Sequence, residues 1–125
     1  MKIATVTDDG ATICAHFGRA RLYAVLTVEN GVITNREMRP KAGHHTFGGE
    51  HADHGSPTEQ ETKHATMFDT VADCQAVLTG GMGSSAYESF ASRGIQPVVT
   101  DVADIEAATR LYASGALPNL TALLH

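Results

Sequence analysis

Cysteine is scarce in this sequence. Cys14 and Cys74 are the only two in 125 residues, too few for a disulfide scaffold, and they point to a reducing compartment. Basic residues are also few. Nine Lys and Arg stand against fourteen Asp and Glu, a formal net charge of −5 with His neutral. A general nucleic-acid binder carries a basic face, and this balance argues against that class. No apolar run approaches the roughly 18–20 residues of a membrane span. The opening MKIATVTDDG lacks the apolar stretch and cleavage site of a signal peptide. The mature chain is therefore expected to begin at or near Met1 and to stay in the cytoplasm. Hydrophobic residues make up 42%, so a packed globule is expected. The length suits one domain, residues 1–125, able to bury about two thirds of its unfolded surface.

The pattern of residues predicts a mixed α/β fold. Lys2–Thr7 is short and β-branched and reads as a buried strand, ended by Asp8-Asp9-Gly10. Arg21–Val28 and Val32–Met38 read as two antiparallel strands joined at Asn30-Gly31, a strong hairpin signal, with the second at an edge. Thr62–Ala72 predicts a helix, with Ala65, Phe68 and Ala72 inward. Ala76–Leu78 is a short strand. A helix over 85–93 follows, capped by Ser84 or Ser85, with Ala86 and Phe90 inward and Gly94 just past its end. Ile95–Thr100 is a strand that Pro97 marks as an edge. A helix over 103–113 follows, capped by Asp101 or Asp104, with Ile105, Ala108, Leu111 and Tyr112 inward and Gly115 as its stop. The tail, 116–125, adds a short helix or lies along the surface. The order β-β-β-α-β-α-β-α implies a single-domain, five-stranded mixed sheet with flanking helices. That order is compatible with a ribonuclease-H-like arrangement.

Three groups of residues offer chemistry. The first is the segment 40–62, rich in Gly and His, which reads as a long loop within the domain. His44, His45, His51 and His54 fall within eleven residues of it. Imidazoles bind Zn, Fe, Ni or Cu, but the spacing matches no rigid zinc pattern, and a solvated polar loop is the plain alternative. The second is Cys14-Ala15-His16, a soft thiol and an imidazole just after a strand. The third is Thr79-Gly80-Gly81-Met82-Gly83-Ser84-Ser85, between a strand and a helix. Glycines there permit close backbone approach, and helix N-terminal amides favour an anion. A tight turn without a ligand is the alternative. Cys74 reads as core. Asp8 and Asp9 read as a turn pair, although carboxylates at a sheet end also hold Mg²⁺ in nucleases.

KIATVTDDG at the start, Ala15-His16-Phe17-Gly18-Arg19-Ala20, and Asp73 through Gly83 (DCQAVLTGGMG) resemble the dinitrogenase iron–molybdenum cofactor biosynthesis family, the NifX/NafY-like domain. Ala86-Tyr87-Glu88 and Gly94-Ile95 fit it too, and the likeness runs from the first strand to about Gly115. The resemblance implies a ribonuclease-H-like fold without nuclease activity. It also implies a carrier that holds an iron–sulfur-type cluster or an iron–molybdenum cofactor precursor during assembly, in contact with assembly or acceptor proteins. On this resemblance the cofactor-binding residues are His16, Phe17, Gly18, Arg19, Gly80, Gly81, Met82 and Gly83.

Ligand chemistry adds Cys14, His16 and the four loop histidines as metal candidates. An anionic cluster suits Arg19, neutral imidazoles and helix N-terminal amides, and its irons take thiolate or imidazole. Two cysteines do not make a four-cysteine cluster site in one chain. A homodimer, or His in place of Cys, would make one; monomer and homodimer both stay open. The expectation is a non-catalytic, cytoplasmic carrier with neither nucleic acid nor membrane as partner. Two other classes are kept: a sensor or storage protein binding bare Zn, Ni or Cu through the His loop, and a metal-dependent hydrolase or nuclease on the same fold.

Overall fold

A computed structural model describes residues 1–41 and 68–121. Five strands form one sheet: β1 (Lys2–Thr7), β2 (Leu22–Glu29), β3 (Val32–Pro40), β4 (Ala76–Thr79) and β5 (Gln96–Val99), in the order β3-β2-β1-β4-β5. β1 pairs antiparallel with β2 and parallel with β4; β2–β3 is antiparallel and β4–β5 parallel. Two helices follow the last two strands, α1 (Ser84–Ser92) and α2 (Ile105–Ala113). This is the mixed five-stranded sheet with flanking helices that the sequence predicts, and its order is consistent with the ribonuclease-H-like arrangement.

The central strand explains the layers. Alternate side chains point to opposite faces of a strand. Ala4 and Val6 therefore enter one buried cluster with Tyr23, Val25, Val77, Val99 and, from α1, Phe90. Ile3 lies on the other face with Ala76, Leu78, Val98 and Ala108 of α2. A strand buried on both faces needs a nearly continuous apolar or β-branched run, and KIATVT supplies it.

Local signals set the boundaries. Asn30 and Gly31 both have positive φ, 54° and 77°, as a two-residue type I′ hairpin turn requires. Gly94 (φ 79°) and Gly115 (φ 81°) follow the ends of α1 and α2. Asp104, not Asp101, caps α2: its carboxylate accepts from the Ala107 N–H. Neither serine caps α1. Gly83 is its N-cap, in extended conformation and with no side-chain bond, and Ser84 is already helical.

Two expected inward residues point outward. Leu111 is exposed because it lies about 120° around the helix from Ile105, off the stripe formed by Ile105, Ala108 and Thr109. Ala72 is exposed because the chain turns through 70–73 after helical Phe68 and Asp69, so helical spacing no longer applies. The rest of the expected helix over 62–72, Ala65 included, lies outside the described residues.

Both sheet edges are managed. β3 is exposed along most of its length and carries Arg36, Glu37 and Arg39, charges that discourage edge pairing. At the other edge the tail lies against β5. The Val99 N–H donates to Asn119 Oδ1 at 2.8 Å, and the Leu120 N–H donates to the Val99 carbonyl at 2.8 Å. Asn119 Nδ2 also donates to the Tyr87 hydroxyl and the Pro97 carbonyl.

Candidate functional site

The three parallel strands β1, β4 and β5 deliver their following loops to the same edge of the sheet, the edge at which open α/β sheets place ligands. The loop after β1 is fixed first. Asp9 Oδ1 accepts from the Ala11 and Thr12 N–H groups at 2.9 and 2.8 Å, and Asp9 Oδ2 accepts from the Thr12 hydroxyl. These bonds, the Thr12 N–H foremost, hold the Asp9 carboxyl well below the usual carboxylate range. Asp8 Oδ1 accepts from the Arg21 N–H at 2.9 Å. Asp9 thus stabilises the turn, and Asp8 ties the end of β1 to the residue before β2. Among the described residues no three His, Cys, Asp or Glu side chains converge as a metal site, and the carboxylate constellation of a two-metal nuclease is not assembled there.

Beyond that turn the chain runs between the ends of β1 and β4. The Cys14 N–H donates to the Val6 carbonyl at 2.9 Å, and the Cys14 carbonyl accepts from the Gly80 N–H at 3.0 Å. The Phe17 N–H donates to the Gly81 carbonyl at 2.8 Å. These last two bonds stitch the segment from Cys14 to Arg19 onto the glycine loop, more than sixty residues away in sequence. The approach is very close. A Cβ on Gly80 would stand 2.8 Å from Ala15 Cα and 3.0 Å from the Cys14 carbonyl oxygen. Gly80 is glycine because another stretch of backbone lies against it. The Gly81 N–H and carbonyl are both engaged by the Thr79 hydroxyl.

The predicted site residues divide in two. His16, Gly18 and Arg19 are exposed, and Cys14 and Gly83 are partly so. Phe17 and Met82 are buried core members, at 4% and 1% exposure. Phe17 packs edge-on against Phe90, with ring centroids 5.4 Å apart. Those two side chains support the site and do not line it, and Met82 offers no sulfur at the surface. The Cys14 thiol lies 3.8 Å from Asp8 Oδ2 and 3.4 Å from the His16 carbonyl oxygen. Cys74 is buried as expected, and burial pushes its thiol up to about 12. The N-terminus of α1, with its positive dipole end and no acidic residue in its first turn, begins three residues beyond Gly81. His44, His45, His51 and His54 lie outside the described residues.

One residue of this region had no signal in the sequence. Lys41, read as the start of a polar loop, follows β3, which runs through Pro40. It is 4% exposed. Its N–H donates to the Arg21 carbonyl, and its Nζ lies 4.4 Å from the centroid of the Phe17 ring. Burial lowers its pKa from the ordinary lysine value, and the acidic groups that oppose this are Cys14 and then Asp8.

Comparison with known proteins bears on the fold and the family. Protein MJ0580 of Methanocaldococcus jannaschii is 26% identical over 117 residues, which cover 94% of this chain and 89% of that protein. Among solved structures, PH0822 superimposes with a TM-score of 0.69 at 23% identity, covering 96% of this chain and 95% of that one. The apo form of the orange protein of Desulfovibrio gigas superimposes with a TM-score of 0.63 at 17% identity, covering 94% and 91%. At such identities the two structures establish a shared fold alone. The family model described as dinitrogenase iron–molybdenum cofactor matches residues 1–115, which include both stitched segments, and the chain belongs to that family.

Proposed function

We propose that this chain is a non-catalytic, cytoplasmic carrier that holds an iron–sulfur-type metal cofactor, or a precursor of the iron–molybdenum cofactor, during metallocofactor assembly. In this reading it receives the cargo from one assembly protein and yields it to another. The observation that carries the proposal is the stitching of the Cys14–Arg19 segment to the glycine loop through the Gly80–Cys14 and Phe17–Gly81 hydrogen bonds. Those bonds bring the backbone that carries Cys14, His16 and Arg19 to the loop that leads into α1, whose N-cap Gly83 makes no side-chain bond. A thiol, once deprotonated, and an imidazole suit iron, while Arg19 and the α1 amides suit the negative charge of a metal–sulfur cargo. A carrier must also let go, and a site with few protein ligands favours release.

The two other classes draw no comparable support. The turn aspartates are held by backbone N–H groups, and the loop histidines lie outside the described residues.

The reading is tested by His16→Ala. His16 is exposed, so the fold should survive, with an unchanged circular dichroism spectrum and thermal midpoint. Binding of an iron–sulfur cofactor extract, followed anaerobically by absorption, should weaken by about tenfold or more, in the range seen when a metal site loses a supporting group. Equal binding by the variant and the wild type would remove His16 from the site.

A further inference from the structure

One peptide group ties the candidate ligand residues together. The Phe17 N–H donates to the Gly81 carbonyl at 2.8 Å. The same planar peptide carries the His16 carbonyl, which points the opposite way because the unit is trans. That carbonyl accepts from the Arg19 and Ala20 N–H groups at 3.1 and 3.2 Å, and the Cys14 thiol lies 3.4 Å from it. The orientation of this one plane therefore sets the course of the chain at Cys14, His16 and Arg19 together. The Gly81 carbonyl that holds the plane is itself held. The Thr79 hydroxyl donates to it at 2.9 Å and accepts from the Gly81 N–H at 3.3 Å. A carbonyl oxygen has two lone pairs, and Phe17 and Thr79 take both. Thr79 is a firm base for these bonds. It is fully buried, it stands opposite Val99 in the register of β4 and β5, and its carbonyl accepts from the Thr100 N–H at 2.9 Å. Val77, two residues earlier, belongs to the cluster of Phe17 and Phe90, so the Thr79 side chain stands on the α1 face of the sheet.

We propose that Thr79 is a positioning residue of the cargo site. Its hydroxyl fixes the Gly81 carbonyl, that carbonyl fixes the His16–Phe17 peptide, and that peptide orients the segment bearing Cys14, His16 and Arg19. The inference rests on the carrier reading and adds to it the buried group through which the site is preorganised. Thr79 touches no cargo; its effect is to remove alternatives. Gly81 has no Cβ to restrict its rotation, and the hydroxyl supplies the restriction instead. A segment held in one arrangement before binding has less freedom to lose on binding. That matters most where few protein ligands hold the cargo.

The test uses the full chain and a defined probe, a synthetic dianionic [4Fe–4S] cluster with four small thiolate ligands, titrated anaerobically and followed by absorption. Amide hydrogen exchange on the cargo-free protein reads the Phe17 N–H directly. Thr79→Val keeps the shape and removes the hydroxyl, while Thr79→Ser keeps the hydroxyl. Thr100→Val is the control: Thr100 is also buried, and its hydroxyl accepts from the Val102 N–H at 3.1 Å in the loop after β5. Thr79→Val should lose about tenfold or more in cluster affinity, the range seen when a group supporting metal ligands is removed. Its Phe17 amide should exchange about tenfold faster. Thr79→Ser should stay within about threefold of the wild type in both, and Thr100→Val within about twofold in cluster affinity. Thr79→Ala, equally without a hydroxyl, carries the same comparison if Thr79→Val does not fold. Equal cluster binding by the hydroxyl-free variant and the wild type overturns this inference and leaves the carrier reading standing. Weaker binding with an unchanged Phe17 exchange rate also overturns it. A loss matched by Thr100→Val, or not restored by Thr79→Ser, assigns the effect to general loosening of the core and overturns it as well. No binding by the wild type overturns the carrier reading, and this inference with it.

Discussion

Gly80 is where fold and site meet, and Gly80→Ala is the sharpest perturbation of both. The added Cβ would stand 2.8 Å from Ala15 Cα and 3.0 Å from the Cys14 carbonyl oxygen. Both are backbone atoms, and no side-chain rotation relieves the clash. The strand end and the 14–15 segment must separate by several tenths of an ångström. Overpacking of this kind costs about 1–3 kcal/mol. The Gly80–Cys14 hydrogen bond, 3.0 Å long, would stretch or break, at a further cost of about 0.5–1.5 kcal/mol. The sum is about 1.5–4.5 kcal/mol, which for a domain of this size lowers the thermal midpoint by about 10 °C. The assay is urea unfolding and thermal melting of Gly80→Ala beside Gly83→Ala. The control is well matched, since nothing lies within 4 Å of a Cβ at Gly83 and its φ of −75° suits alanine. The control should stay within about 1 kcal/mol of wild type. Gly80→Ala should also weaken cargo binding, because it moves Cys14 and His16 relative to α1. A Gly80→Ala protein as stable as the control would refute the reasoning that backbone proximity fixes glycine at this position.

Other outcomes follow from particular contacts. Asn119→Ala removes the acceptor of the Val99 N–H and the donor to Tyr87 and Pro97; it should lower unfolding free energy by about 1–3 kcal/mol and speed amide exchange at Val99. Arg39 holds Asp73 with two hydrogen bonds, at 2.8 and 3.0 Å, and with Lys2 it keeps that carboxyl well below the usual carboxylate range. A carboxyl whose pKa is depressed by folding contributes stability above its unfolded value of about 3.9, and that contribution is lost as pH falls through the lower folded value. Denaturant midpoints measured from pH 7 to pH 2 should therefore fall in the wild type below about pH 4. The fall should be shallower in Asp73→Asn, and only modestly so, because the pair is partly exposed and screened by solvent. An unchanged slope would mean that the ion pair adds nothing to folding.

Much of the fold is legible because local chemistry and tertiary structure agree. The β-branched run of β1, the Asn30-Gly31 turn, and Gly94 and Gly115 each demand one conformation, and the chain adopts it. Asp104 caps α2 for the reason that makes aspartate a good cap. The sequence is misleading where a residue type serves a neighbour it does not reveal. Leu111 has a core residue's character but lies off the buried stripe. Met82 and Phe17 stand inside site motifs, yet their side chains fill the core beneath the site. The glycine loop reads as a place for an anion to approach, while Gly80 is occupied by approach of the chain itself. Nothing in PKAGHH distinguishes Lys41 from a solvated loop lysine, because the ring its ammonium stands over, Phe17, is twenty-four residues earlier. His16 and Arg19 enter the proposed site for the opposite reason: their motif matches a family without knowledge of the packing below it.

The carrier claim is tested most directly by anaerobic titration of the wild-type chain with an iron–sulfur cofactor extract, followed by absorption and electron paramagnetic resonance, with Zn²⁺ in a parallel titration. The account predicts stoichiometric uptake of the cluster with a changed spectrum. An unchanged cluster spectrum, with or without Zn²⁺ binding, would contradict it.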